Sequence, residues 1–151
     1  MGYLLNIIGI ISNLLYLSAL ETNIKLEQQA KLLLFFGIIL LLFGLVIGFF
    51  IPMLSNPRMV LSAHLEGAMN GIFLVILGLI WNKLILKAKW LTTAYWLSLY
   101  GSFANFLAVT MAAITGAGRM LPIAGGKEGI TSVGGLISFL LVTLSLAMIL
   151  V

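Results

Sequence analysis

The sequence predicts an all-α membrane protein, a four-transmembrane-helix bundle with an additional N-terminal hydrophobic helix. Of its 151 residues 62% are hydrophobic and only 8% charged, with a mean hydropathy of +1.23, outside the range of soluble domains. Long apolar runs recur along the chain, separated by short polar or glycine-rich stretches. One of them opens on Asn56-Pro57, a good N-cap followed by the residue that suits the first helical position.

Residues 1–20 form the additional hydrophobic helix, which lies on the bundle or in the interface, or adds a span. Its less apolar positions, Gly2, Asn6, Gly9, Asn13 and Tyr16, recur every third or fourth residue. It lacks a basic leading region and a small-residue cleavage site, so it is a poor signal peptide. Residues 21–31, ETNIKLEQQAK, make a polar, surface-exposed helical connector to the four-helix membrane domain at 32–151.

That domain begins with an uncharged apolar run at residues 32–51, enough for about 30 Å of helix. After a short turn, a second helix runs from Asn56 and Pro57 to Trp81, antiparallel to the first. The stretch WNKLILKAKW that follows sets lysines between two tryptophans, the pattern of an aromatic belt at a charged membrane face. Residues 91–115 form a third helix and residues 130–151 a fourth. The glycine-rich loop between them, GAGRMLPIAGGKEG, follows no strand, so a capping or re-entrant loop is expected there and not a phosphate cradle.

Charge and residue types exclude several functions. The net charge of +4 comes from scattered Lys and Arg, too thin for a nucleic-acid surface. Lys25, Lys31, Lys83, Lys87 and Lys89 fall on one membrane face against Arg58, Arg119 and Lys127 on the other, which makes the lysine-rich loops cytoplasmic. Without cysteine there is neither a disulfide nor a thiolate site. One histidine, four carboxylates and no aspartate rule out a multi-histidine zinc site, a Ser-His-Asp triad and a carboxylate proton ladder.

The single histidine, His64, lies in the first turns of the second helix, at a depth where ionisable groups are a functional-site hypothesis by default. At about 100° per residue, His64, Gly67, Ala68 and Gly71 share one stripe, with Glu66 and Asn70 roughly opposite. The glycine face admits a flat group such as a porphyrin or the close approach of another helix. Glu66 assists proton movement or, the preferred expectation, pairs with a basic residue of a neighbour. On the third helix, Ser98, Gly101, Asn105, Ala108 and Ala112 make a small, polar stripe, open to close packing or to a ligand. Trp96, Tyr100 and Phe103 make an aromatic one.

The run NPRMVLSAHLEGAMNGIFLVILGLIW, with the later LYGSFANFLA and GRMLPIAGG, resembles the hydroxylaminobenzene mutases across roughly residues 32–151. That resemblance implies rearrangement of an aryl hydroxylamine to an aminophenol, with a small apolar aromatic substrate drawn from the lipid bilayer. More distantly, Ala63, His64, Asn70 and Gly71, then Phe103, Ala104 and Asn105, are similar to motifs of the styrene oxide isomerases. Haem b ligated by His64 is implied by that likeness, as are an oxygen-side donor at Asn70, a pocket polar group at Asn105 and a trimeric homo-oligomer. Gly67 and Gly71 would face the cofactor, Arg119 would pair with a propionate or order its loop, and Tyr100 would supply a further donor. Val109 stands where the epoxide isomerases place a tyrosine, which favours the mutase. An epoxide isomerase and a non-catalytic membrane haem protein are the alternatives.

Overall fold

The computed structural model describes residues 2–54, 56–116 and 131–149. Four helices follow one another: α1 (Gly2–Gly48), α2 (Pro57–Ile80), α3 (Ala88–Thr115) and α4 (Thr131–Ile149), with a 3-10 turn at Trp81–Lys83. No strand occurs among the described residues, so the all-α membrane fold is the one found. Three helices are long and apolar enough to cross a bilayer; the shorter apolar stretch in α4 is Ser132–Leu144.

The N-terminal hydrophobic helix is not a separate element. A single helix of 47 residues carries it through the polar stretch into the first span. The physical reason lies in ETNIKLEQQAK itself, which has helix formers and no glycine or proline to stop the helix. Lys31 pairs with Glu27 one turn earlier at 2.8 Å. Nor is the end of this stretch a solvated connector. Ala30 is buried, and Gln29 accepts a hydrogen bond at 3.1 Å from the indole nitrogen of Trp81, a fully buried side chain. Of the two tryptophans expected at a membrane belt, only Trp90 is exposed.

Glycine dictates how α1 meets α2. A Cβ added at Gly67 would come within 2.5 Å of the Gly44 Cα, and one at Gly71 within 2.5 Å of the Leu41 nitrogen. The two backbones therefore touch, as small residues allow in membrane helices. Leu33, Leu40 and Leu74 fill the seam around them, with Tyr95, Leu99 and Phe106 of α3 closing the same core. A second cluster joins Met59 and Val60 of α2 to Ala108, Ala112 and Ala113 of α3 and Ile137 of α4.

The helix ends follow their sequence signals. Asn56 caps α2 by accepting from the Met59 amide at 3.3 Å, and Pro57 occupies the first turn. Gly116 ends α3 in the left-handed region, at φ 69°, and its amide bonds back to the Ala112 carbonyl. Beyond it, Arg119 and most of the glycine-rich loop lie outside the described residues.

Candidate active site

Near the middle of α2 and α3, three polar side chains meet in apolar surroundings. Glu66 Oε2 accepts from Asn70 Nδ2 at 3.3 Å, one turn along the same helix, and from Asn105 Nδ2 on α3 at 2.5 Å. An amide nitrogen can only donate and a carboxylate only accept, so the direction of both bonds is fixed by chemistry. A basic residue was the expected partner of Glu66, and Arg119 and Lys127 lie outside the described residues. Among the described residues its partners are amides.

The cluster lines a pocket of about 520 Å³ between α2, α3 and α4. Met69, Phe73, Leu97 and Leu144 form its apolar walls, and Ser98, Gly101 and Ser102 line the α3 side. Met69 and Phe73 are also exposed on the outer surface of α2, so the pocket opens at the rim of the bundle. The small stripe of α3 divides its work by height. Ser98, Gly101 and Asn105 face the pocket, whereas Ala108 and Ala112 are packed in the second core cluster.

His64 sits on the other flank of α2, half-buried against α1. Its Nδ1 is 2.8 Å from the Gly44 carbonyl oxygen, and the ring also lies beside Gly48. Since a carbonyl oxygen only accepts, Nδ1 carries a proton, which in the neutral ring leaves the lone pair on Nε2. That tautomer, fixed by a backbone acceptor, is the one an imidazole needs to ligate a metal through Nε2. The donor set thus fits an axial haem ligand.

Gly67 and Gly71 do not form an open wall for a flat cofactor. The backbone of α1 fills that face, so these glycines serve helix packing, and a macrocycle held by His64 has no room between α1 and α2. The Tyr100 hydroxyl is 2.6 Å from Thr143 Oγ1 on α4, and Tyr100 is not among the pocket-lining residues. Its place is in the α3–α4 contact, because its hydroxyl already has a partner there. Asn70 and Asn105, singled out in the sequence, line the pocket and His64 does not; Glu66, which the sequence left between proton movement and pairing, lines it as well. The (i, i+4) spacing of Glu66 and Asn70 was the available signal.

The styrene oxide isomerase family pattern matches residues 29–151. The chain belongs to that family. It is 49% identical over 124 residues to hydroxylaminobenzene mutase HabB of Ectopseudomonas oleovorans, spanning 81% of this chain and 76% of that protein. With hydroxylaminobenzene mutase HabA of the same organism it shares 43% identity over 114 residues, or 74% of this chain and 84% of the relative. No solved structure matches. Membership makes this family protein an enzyme of the isomerase and mutase kind, moving a group within one molecule. The helices that build the pocket and hold His64 fall within the matched residues, whereas the first half of α1 precedes them.

Proposed function

We propose that this enzyme rearranges an aryl hydroxylamine to a 2-aminophenol within the membrane. The observation that carries the reading is the Glu66–Asn70–Asn105 cluster set in an apolar pocket, in a chain 49% identical to a hydroxylaminobenzene mutase. Met69, Phe73, Leu97 and Leu144 take the aromatic ring, and the polar cluster orients the N–OH group. During the rearrangement the N–O bond breaks, oxygen joins the ortho carbon, the proton leaves that carbon and one is restored at nitrogen. No oxidant or reductant is consumed. The pocket walls are apolar and open at the rim, where an apolar substrate concentrated in lipid can enter.

Haem b held by His64 Nε2 belongs to the proposal, supported by the tautomer that Gly44 imposes. A ferric haem held there would supply Lewis-acid chemistry toward the hydroxyl oxygen of the substrate. His64 faces α1 and the amide cluster faces α3, so in one chain they look to different sides of α2. The pocket opens beside the exposed Met69 and Phe73, and a homo-oligomer, the trimer implied by resemblance, would let a neighbouring copy close the site. Lysine-rich loops on the cytoplasmic side complete the topology. A second reading, an epoxide isomerase, draws on the description of the matched family.

The test is direct. Protein purified in detergent with its pigment should convert hydroxylaminobenzene to 2-aminophenol and show a Soret band. Absence of product would reject the activity, and absence of the band would reject the haem.

A further inference from the structure

The carboxylate of Glu66 has two oxygens, and the structure uses them unequally. Both amide donors converge on Oε2, while Oε1 receives no hydrogen bond from a described residue. Among the described residues the only ion pair is Lys31 with Glu27, far along α1, so no described cation occupies the second oxygen. The side chain lines the pocket and is only partly buried. Among the described residues, then, Oε1 is an acceptor without a donor beside the apolar walls.

We propose that Glu66 Oε1 sets the substrate class of the pocket by accepting a hydrogen bond from an N–H or O–H of the ligand. This rests on the mutase reading and deepens it. An aryl hydroxylamine carries both kinds of donor, so it satisfies the oxygen on entry. An aryl epoxide or ether carries only lone pairs and would leave two acceptors facing each other. In apolar surroundings an unmatched polar group is costly, and sites built around a ligand donor discriminate strongly against analogues that lack it. The arrangement gives a physical reason why a member of a family described by an epoxide should act on a hydroxylamine.

Glu66→Gln isolates the point. The glutamine carbonyl can keep both amide bonds in place of Oε2, and its NH2 then stands where Oε1 stood, replacing an acceptor by a donor. The measurement is equilibrium dialysis of the intact protein in detergent with two inert ligands. N-benzylhydroxylamine has the donors but no ring-bound nitrogen to rearrange, and anisole has an acceptor oxygen only. With equal detergent on both sides of the membrane, wild type should prefer N-benzylhydroxylamine by about tenfold or more. In E66Q that ratio should fall at least about tenfold, and in Glu66→Asp, which keeps an acceptor, the preference should remain on the hydroxylamine side.

Parity between the two ligands in wild type would overturn the proposal, whether or not either variant folds. So would an unchanged ratio in folded E66Q, even if both affinities fell together, because that is the signature of a merely structural carboxylate. These outcomes do not depend on turnover. Failure of wild type to make 2-aminophenol would sink the mutase reading while leaving the ligand preference measurable.

Discussion

A single carbonyl decides what His64 can do. Because Gly44 accepts from Nδ1, the other ring nitrogen is available as a ligand, and His64→Ala is expected to purify without a Soret band. A full Soret band in that variant would assign the iron to another side chain. On the opposite flank, Asn105→Leu removes one of the two donors that hold Glu66. A hydrogen bond to a charged group contributes about 1.5–3 kcal/mol, so kcat/KM for hydroxylaminobenzene should drop about tenfold or more, read from initial rates. His64, Asn70 and Asn105 were legible in the sequence because polar side chains are conspicuous in apolar helices. The Glu66–Asn105 bond was not, since it joins residues 39 apart on different helices and depends on how those helices are turned. The contact of Tyr100 was hidden for a related reason. A phenol on the same helix as Asn105 looks available until Thr143 of α4 is seen to engage it.

Among elements, the α1–α2 pair is the rigid one, with Gly37, Gly44 and Gly48 on one side and Gly67, Gly71 and Gly78 on the other. Gly71→Leu would drive a side chain into the Leu41 nitrogen and the Gly37 carbonyl, both backbone atoms that cannot swing aside. It should cost about 1–3 kcal/mol or more, seen as a lower midpoint in thermal unfolding in detergent, and it should also disturb His64 by parting the helices. An unchanged midpoint would mean that the helices do not approach so closely. The sequence left two uses open for these glycines, because a bare stripe suits a second helix and a flat ligand equally well. Only the position of α1 distinguishes them. The start of α2 was legible to the residue from Asn56 and Pro57, which act locally. The uninterrupted course of α1 was not, since hydropathy divides the chain at its polar stretch although the backbone there has every reason to stay helical.

At the scale of the whole molecule, a membrane isomerase fold is assembled so that α2 presents its histidine to one side and its carboxylate and amide to the other. Composition alone made the all-α membrane class legible, while the relative placement of the two flanks required the packed helices. If neighbouring copies close the site, light scattering on the purified enzyme should return the mass of more than one chain, and a strictly monomeric, active enzyme would contradict that. The most direct test of the proposed activity is product analysis after the pigmented protein is mixed with hydroxylaminobenzene. The expected result is 2-aminophenol formed by wild type and lost or strongly reduced in Asn105→Leu; pigmented wild-type protein that leaves the hydroxylamine unchanged would contradict it.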